Sequence, residues 1–397
     1  MISNIIPSSK KLIYSRIADR GQVSKAELLE EFALTSSTMT RLLDEMMAEK
    51  LLRISGYGES KGGRKPILYE INPTYGYIFG LDISRVVSSL GLFDMQMNAR
   101  SIVHWRMDEG MTPEQFVAHA AGYMKSFLND LQIQPADIIG IGIGAVGPID
   151  RERGVIEKPL HFAAPGWNDV PICELLERQT GYRAVLENGA NTALLGEQWA
   201  HRYANMQHML YVHAGAGIRS AMMSQGRLIR GANDVEGAAG QMIIQAGGSR
   251  LHEYGNYGAL ESFVSVEAIV RKAQAQAKLG RTELPDRYGV APEKIGYDVL
   301  LKALANEDPF VKELFAESAA YFGIGLANMI NLFHPEHIIL GGALVNSHEL
   351  FFRTAVEVAQ KNTYWFPQYK PEFSKGMLRE DAVATGAAIM VRQRLEL

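Results

Sequence analysis

The stretch YIFGLDISRVVSSLGLF, at residues 77–93, decides the fold class of this chain. An apolar run is followed by a short turn of small and polar residues and then by a second, alternating run, so the stretch predicts two strands joined by a turn. The same scheme returns in HMLYVHAGAGIRSAMMSQG at residues 208–226. A pattern that occurs twice, each time ahead of segments with helical spacing, predicts two related α/β lobes.

Strand and helix patterns alternate around these two stretches. The alternation from residue 138 to residue 206 is typical of mixed α/β architecture. Farther along, the sequence predicts a helix near residues 310–333, a strand at residues 337–342 and a closing helix from Asp381 that packs back on the first lobe. The predicted domains are residues 1–75, a first lobe of residues 76–190 completed by residues 380–397, and a second lobe of residues 191–379.

Composition and charge narrow the class of protein. The chain has 397 residues, of which 47% are hydrophobic, enough for a large core in two or three domains. A formal net charge of −4 gives no overall attraction to nucleic acid or to an anionic membrane, so such binding has to be local. The longest apolar stretch, IIGIGIGAVGPI from Ile138, is too short and too rich in glycine to span a bilayer. Since the N-terminus also lacks a signal-peptide pattern, we expect a soluble cytoplasmic protein with no membrane partner.

The first 75 residues predict three helices followed by two short strands. Helices are expected at residues 10–19 and 25–32, and the third carries apolar residues at helical spacing on one face, namely Met39, Leu42, Leu43, Met46 and Met47. The runs LLRISGYG and ILYEIN then predict strands joined by the basic segment ESKGGRKP. This order of elements is that of a winged helix-turn-helix, a DNA-binding module.

The third helix of this region carries the residues expected to contact DNA. Thr35 or Ser36 can cap its N-terminus, and the outward positions of its first two turns carry small, hydrogen-bonding or cationic side chains that suit base edges and phosphates. The free N–H groups of the first turn also favour a phosphate. The acids Asp44, Glu45 and Glu49 are expected towards the other end of the helix. The predicted contacts are Thr35, Ser36, Ser37, Thr38, Thr40 and Arg41.

The segment between the two strands adds positive charge where a wing would touch the DNA backbone. From Lys50 to Lys65 there are five cations and one acid, Glu59. Arg64 follows two glycines and suits a narrow minor groove, whose negative potential attracts guanidinium groups. We therefore predict DNA contacts from Lys61, Arg64 and Lys65. The alternative is an ordinary amphipathic helix with a solvated basic loop, but the helix spacing, cap and wing together favour DNA binding.

Several segments of the α/β region occur in a recognisable order. They are GIGIGAVGPID, GWNDVPICELLE, LENGANTALLGE, GRLIRGANDVEGAAGQM, GALES, NLFHPEHIILGGAL and ATGAA. In this order they resemble the ROK family of repressors, open reading frames and kinases, over nearly the whole chain. The N-terminal module followed by GGRKP is similar to the branch of that family that regulates transcription. The resemblance implies a two-lobed, actin-like ATPase fold C-terminal to the winged helix-turn-helix.

Departures from the kinases of this family fall at the residues that catalysis needs. Those kinases read Asn-Asp-Ala-Asn where this chain has NGAN at residues 188–191, and Gly189 offers no side chain in place of their catalytic Asp. Their first phosphate turn, Asp-x-Gly-Gly-Thr, corresponds to DISRV at residues 82–86. Their second, Gly-Thr-Gly-x-Gly-Gly-Gly, corresponds to GAGIRSA at residues 215–221, with bulkier Arg219 among the changes. These departures predict no catalytic residue, no cofactor and no enzyme activity.

The zinc site of the family is replaced as well. It uses one histidine and three cysteines, and the matching positions here are Gln241, His252, Tyr254 and Ala259. One imidazole cannot hold a tetrahedral zinc ion, and the single cysteine, Cys173, excludes an internal disulfide and a thiolate-rich site. We predict no bound metal, with His252 as an exposed loop histidine and Gln241 placed to hydrogen-bond within its loop.

The sugar-binding positions that the resemblance implies are partly kept. Asn188 and Glu261 match the family, whereas Gly189, Ala238 and Gln241 replace three other hydroxyl-binding residues. Because carboxylates bind hydroxyl groups strongly, losing two of them changes the chemistry of the pocket. The alternative for Asn188 and Glu261 is a structural role, holding a turn and capping a helix. The candidate ligand contacts are Asn188, Asn191, Gln241 and Glu261, and His161, His213 and Asn233 could compensate for the losses.

The residues and the resemblance together predict a DNA-binding transcriptional regulator, a repressor of carbohydrate-related genes. Its partners would be double-stranded operator DNA and, as effector, a sugar or sugar derivative. The second lobe would serve dimerisation and effector sensing, and a homodimer or a dimer of dimers would present paired recognition helices to a palindromic site. Two alternatives stay open, namely control by a protein partner without any small-molecule ligand, and a residual sugar kinase.

Overall fold

The chain divides into two compact units. The computed structural model describes residues 8–59, 65–232 and 236–395. The first unit runs to Asn205 and resumes at Glu380, and the second runs from Met206 to Arg379. None of the helices within the described ranges is both long enough and apolar enough to cross a bilayer.

The N-terminal module, defined as residues 8–71, packs three helices on a small antiparallel sheet. Its elements are α1 (Ser9–Arg20), β1 (Gln22–Ser24), α2 (Lys25–Glu31), α3 (Ser36–Ala48), β2 (Leu52–Tyr57) and β3 (Ile67–Ile71). The strand order is β1-β3-β2. Ser8, Ser24 and Thr35 each precede a helix and accept the backbone N–H of the residue three positions on, which satisfies a donor that the first turn leaves free. The predicted helices and strands are therefore present, together with β1, a short strand that the sequence pattern did not indicate.

The first lobe follows the module within the first unit. Its elements are β4 (Tyr77–Ile83), β5 (Val87–Asp94), β6 (Ala99–Arg106), α4 (Pro113–Leu131), β7 (Ile138–Ala145), β8 (Ile149–Asp150), β9 (Val155–Ile156), α5 (Ile172–Thr180), β10 (Ala184–Asn188) and α6 (Gly189–Ala200). The predicted pair of strands at residues 77–93 is confirmed as the β4–β5 hairpin. It lies inside a five-stranded sheet of order β10-β7-β4-β5-β6, in which β4, β7 and β10 are parallel.

The second unit repeats this sheet. Its elements are β11 (Met209–Ala214), β12 (Ile218–Ser224), β13 (Arg227–Leu228), α7 (Val266–Lys278), α8 (Leu284–Tyr288), α9 (Tyr297–Ala305), α10 (Pro309–Phe333), β14 (His337–Gly341), α11 (Ala343–Ser347), α12 (Glu349–Lys361) and β15 (Glu372–Ser374). The order is β13-β12-β11-β14-β15, with β11 antiparallel to β12 and parallel to β14. Both sheets therefore place an antiparallel hairpin beside parallel strands, as the repeated sequence pattern predicted.

The last helix, α13 (Ala382–Gln393), packs against α6, β4 and β7 of the first lobe. The approach is close because glycines line it. A Cβ at Gly386 would lie 1.7 Å from the carbonyl oxygen of Thr192, and one at Gly142 would lie 1.9 Å from that of Ala387. Any larger residue at these two positions would push α13 off the lobe.

One predicted boundary needs correction. We placed the start of the second lobe at residue 191, which lies in the first turn of α6. Helix α6 packs on α13 and belongs to the first unit, which continues to Asn205. The sequence pattern misplaced the boundary because it shows only that a strand ends and a helix begins near residue 190. It does not show that this helix packs on α13, which comes much later in the chain.

Candidate functional site

Helix α3 presents the exposed polar surface on which most of the predicted DNA contacts lie. Ser36, Ser37, Thr40 and Arg41 are exposed, while Met39 on the other face is fully buried. The sequence left two candidates for the cap, and the structure assigns it to Thr35, whose Oγ1 accepts the backbone N–H of Thr38 at 3.3 Å. The start of the helix is thus fixed, and its first two turns carry small polar side chains that suit a major groove.

Most of the six candidates form side-chain hydrogen bonds within the module. Thr38 is half-buried, and its hydroxyl lies 2.9 Å from that of Thr35. The Thr40 hydroxyl donates to the carbonyl oxygen of Ser36 at 2.9 Å and accepts a hydrogen bond from the Lys25 ammonium group. These contacts position Lys25 beside the polar face of α3, so the module adds a cation there that the sequence pattern did not single out.

Arg41 is held by an acid of its own helix. Its guanidinium forms an ion pair with Glu45, four residues on, and both side chains are largely exposed. A shallow groove along α3 is lined by Ser37, Thr40, Arg41, Asp44, Glu45 and Ala48. The acids lie in the C-terminal half of α3, as expected, but Glu45 reaches Arg41 because the helical repeat brings residues four apart side by side.

The wing is only partly described. Lys65 is exposed, whereas the predicted contacts Lys61 and Arg64 lie outside the described residues. Arg53 on β2 is neutralised by Glu70 on β3, with its Nε 2.6 Å from Oε1. The described part of the wing therefore offers less free positive charge than the sequence count suggests.

The turn from β10 to α6 forms a buried hydrogen-bond network. Glu187 and Asn188 are 0% and 1% exposed. Asn188 caps α6, with its Oδ1 accepting the backbone N–H of Ala190 at 3.1 Å. Its Nδ2 forms no hydrogen bond with a described residue. Asn188 therefore has the structural role that the sequence left open.

Glu187 organises this turn, and we did not predict it. Its Oε1 accepts hydrogen bonds from the backbone N–H of Asn188 and from Asn191 Nδ2, both at 3.0 Å, and its Oε2 lies 3.4 Å from Arg151 Nη1. The sequence pattern marked Glu187 only as the polar end of a strand. The available signal was its position four residues before Asn191, since residues at that spacing face each other across a helix start.

The first phosphate turn of the kinases is occupied by protein groups here. The backbone N–H of Ser84 donates to the buried hydroxyl of Ser88 at 3.1 Å, and Arg85 Nε donates to the carbonyl oxygen of Leu160 at 2.7 Å. A phosphate cradle needs free backbone N–H groups and room for the anion. In this turn one such N–H is already bonded to Ser88, and the side chain of Arg85 is bonded to Leu160.

Glu261 and Gln241 belong to the second unit, and the two asparagines belong to the first. Glu261 Oε2 accepts the backbone N–H of Ile218 at 3.2 Å, and a Cβ at Gly217 would lie 2.8 Å from the same oxygen. Glu261 therefore supports the turn at residues 215–217, a structural role. Gln241 Oε1 accepts the backbone N–H of Asn256 at 2.9 Å, the loop hydrogen bond that we anticipated.

His252 is half-buried, which corrects its prediction as an exposed loop histidine. Its ring stacks on Tyr254 at 5.1 Å, and its Nε2 lies 3.4 Å from Glu267 Oε2 on α7. These contacts attach the loop that carries His252 to α7. The sequence pattern could not reveal them, because Glu267 is 15 residues away and on another element.

Comparisons with known proteins place these features in a family. The sequence pattern of the ROK family matches residues 78–394. A putative xylose repressor from Caldicellulosiruptor sp. strain Rt8B.4 is 27% identical over 390 residues, covering 96% of this chain and 95% of that protein. A glucokinase from Thermotoga maritima is 28% identical over 257 residues, covering 64% of this chain and 80% of the kinase.

Among solved structures, a ROK family transcriptional regulator described as a homologue of the E. coli MLC protein superposes over 97% of this chain and 96% of its own. The TM-score is 0.77 and the identity 18%, so this likeness concerns the fold. It extends over the N-terminal module as well as both units. The family pattern, spanning all but the N-terminal module, shows that the chain belongs to the ROK family.

Proposed function

We propose that this chain is a DNA-binding transcriptional repressor of sugar genes whose lobes sense an effector and do not catalyse a reaction. The proposal depends on one observation above all: the module with the capped helix α3 precedes the ROK region, and similarity to a putative xylose repressor extends over 96% of the chain. The glucokinase similarity covers only 64%. A protein of this kind would act in the cytoplasm, on the chromosome.

Helix α3 would be the recognition helix. Ser36, Ser37 and Arg41 are exposed on its first two turns, and the Lys25 ammonium group lies beside them at Thr40. Small hydroxyl groups approach base edges closely, and a guanidinium group binds guanine or phosphate in two-pronged fashion. A homodimer would present two such helices about one turn of DNA apart, which requires a palindromic operator.

The ROK lobes would bind rather than phosphorylate. Gly189 supplies no base, and the N–H group of Ser84 is already bonded to Ser88. Losing a general base alone typically costs about two to four powers of ten in rate. The amide donor of Asn188 stays available beside the Glu187 network, and a sugar hydroxyl is the group that such a donor suits.

Helix α6 would connect effector and DNA. It starts at the Asn188 turn and, at about 18 Å for 12 residues, carries Trp199 to the core shared with the N-terminal module. A ligand that prefers one position of the turn would therefore favour one position of the helix end under the module. Such differential binding is what effector control requires.

DNA binding can be tested by fluorescence anisotropy with the duplex upstream of the protein's own coding sequence and a scrambled duplex, at physiological salt. The Arg41→Ala variant should bind the specific duplex roughly five- to a hundredfold more weakly. The matched control is Arg178→Ala, which removes an exposed arginine paired with Glu174 at the same i,i+4 spacing on α5. Equal affinity of the unaltered protein for both duplexes would refute the proposal.

Effector binding can be tested by thermal denaturation with xylose, glucose, N-acetylglucosamine and their phosphates. A ligand that binds only the folded protein raises the midpoint in a saturable way. Asn188→Ala should abolish the rise, while Asn205→Ala, in an exposed turn after α6, should not. If no sugar shifts the midpoint but DNA binding is specific, control by a protein partner becomes the better explanation.

A further inference from the structure

A polar cavity lies within the first unit, where the N-terminal module meets the first lobe. It encloses about 370 Å³ between α1, β1 and β3 on one side and the β5–β6 turn, the end of α6 and α13 on the other. Its polar lining includes Arg20, Gln22, Gln96, Asn98, Arg202 and Arg392. We call it the joint cavity. Helix α6 separates it from the Asn188 turn, since the turn starts the helix and the cavity lies at its end.

The joint cavity holds a buried cation with little compensation. Arg392 is only 5% exposed. Its Nη1 donates one hydrogen bond, to the carbonyl oxygen of Met95 at 3.2 Å, and its guanidinium lies 4.2 Å from the centre of the Trp199 ring. It forms no ion pair with a described residue, although a guanidinium has five N–H donors and a buried charge normally requires a partner. Burial lowers the pKa of Arg392, the expected effect of an environment that disfavours its charge.

A second guanidinium lies on the same indole. Arg202 stacks 4.1 Å from the centre of the Trp199 ring, and its Nη1 donates to the carbonyl oxygen of Trp199 at 2.8 Å. Two cations held against one ring repel each other, and Arg202 adds to the forces that disfavour the charge of Arg392, so an anion beside Arg392 would stabilise it. The amides of Gln22, Gln96 and Asn98 add hydrogen-bonding groups to the same lining.

The acids nearby are mostly committed elsewhere. Glu70, the carboxylate in the lining, pairs with Arg53 and accepts a hydrogen bond from Gln22 Nε2 at 3.4 Å. Asp94 accepts the backbone N–H groups of Gln96 and Asn98, at 2.9 and 3.0 Å. Asp19 attracts Arg392 electrostatically without forming an ion pair with it. Of the arginines in the lining, Arg20 forms an ion pair with Glu31, whereas Arg392 forms none with a described residue and is the cation that an anionic ligand would compensate.

We propose that the joint cavity binds a small molecule bearing an oxyanion, a carboxylate or a phosphate, with Arg392 and Arg202 as its charge partners. Guanidinium groups bind both oxyanions in two-pronged geometry, and the volume suits a compact metabolite. The lining comes from both the N-terminal module and the first lobe. A bound ligand would therefore contact both and stabilise the packing of the module on the lobe. This site is distinct from the proposed sugar site at the Asn188 turn, since the two lie at opposite ends of α6.

The test measures the melting midpoint of the full chain against inorganic phosphate and citrate, with sodium chloride keeping the ionic strength constant. Phosphate and citrate represent the two oxyanions in separate arms. We expect a saturable rise of roughly 3–6 °C in at least one arm. Arg392→Met, which keeps an unbranched side chain but removes the guanidinium group and its charge, should abolish the rise. Arg178→Met, at an exposed arginine on α5, should leave it unchanged.

General exclusion of these anions from protein surfaces also raises stability, but without saturation and equally in every variant. The proposal would be overturned if neither anion raised the melting midpoint of the unaltered protein in a saturable way. It would also be overturned if the Arg392→Met variant showed the same rise as the unaltered protein. If Arg392→Met does not fold, Arg202→Met replaces it, and it should weaken binding at least tenfold by isothermal titration. These outcomes do not depend on DNA binding, so they separate this site from the proposed repressor function.

Discussion

Glu45 and Arg41 form an ion pair one turn apart on the exposed face of α3. The pair joins an acid to a cation that we propose binds DNA. A phosphate approaching Arg41 must therefore compete with Glu45 and also meets its negative charge. We therefore expect Glu45 to reduce the affinity of this surface for DNA without contacting DNA itself.

The Glu45→Gln variant should bind operator DNA about two- to fivefold more tightly at low salt. An exposed ion pair is worth only about 0.3–0.5 kcal/mol, and the remainder comes from removing a repulsive charge. The gain should shrink as salt screens it. Fluorescence anisotropy at several salt concentrations measures this, with Glu174→Gln, in the equivalent pair on α5, as control. Weaker binding by Glu45→Gln would mean that Glu45 orients Arg41 for DNA.

The Glu187→Gln variant should lower the free energy of unfolding by about 1–2 kcal/mol. Glu187 is fully buried, and its charge supports contacts to Arg151, Asn188 and Asn191 that a neutral amide only partly replaces. Urea denaturation followed by circular dichroism measures the change. Glu174→Gln on α5 should stay within 0.5 kcal/mol, as typical for surface sites. An unchanged midpoint for Glu187→Gln would show that the network adds nothing to stability.

The Gly189→Asp variant should not acquire kinase activity, although it restores the acid that kinases of this family use. The first phosphate turn still has Ser84 bonded to Ser88 and Arg85 bonded to Leu160, so we expect this turn to bind the phosphates of ATP poorly. A coupled assay with ATP and a panel of hexoses measures turnover, with Gly189→Asn as the matched uncharged variant. Turnover by the Asp variant alone would show that a single residue separates this chain from an enzyme.

Cys173 should resist alkylation in the folded protein. Burial, helped by Glu177, raises the pKa of its thiol to about 12 from an ordinary 9.0, and Arg394 opposes this rise. Because the folded pKa is the higher one, the thiol contributes stability below pH 9 that is lost as the pH rises from about 9 to 12. Iodoacetamide at pH 8 should react slowly with the native chain and at the normal rate in urea. Equal rates in both states would contradict the raised pKa.

The sequence predicted those elements whose pattern is local. Met39, Leu42, Leu43 and Met46 of α3 repeat at helical spacing, and all four are buried. The β4–β5 hairpin alternates within one short stretch and is also as predicted. In contrast, β1 has three residues, too few for a visible period, and it exists because Val23 pairs with Tyr69 on β3.

The candidate site was harder to predict because its contacts join distant residues. Glu187 acquires its role from Arg151, 36 positions earlier, and the Arg392 guanidinium meets Trp199 from another part of the chain. Composition shows how many cations a segment has, but only the structure shows that Arg53 faces Glu70. Charge that is neutralised by such pairing is invisible in a count along the sequence.

The position of α13 constrains how the protein is made. The ribosome completes the N-terminal module and the strands β4 to β10 long before it delivers α13, since the whole second unit is translated in between. Until then the face of the sheet around Gly142 stays uncovered, and Trp199 lacks Arg392. Nascent chains therefore expose an unfinished first lobe while their N-terminal module is already outside the ribosome, and the first lobe is completed only when α13 has been translated.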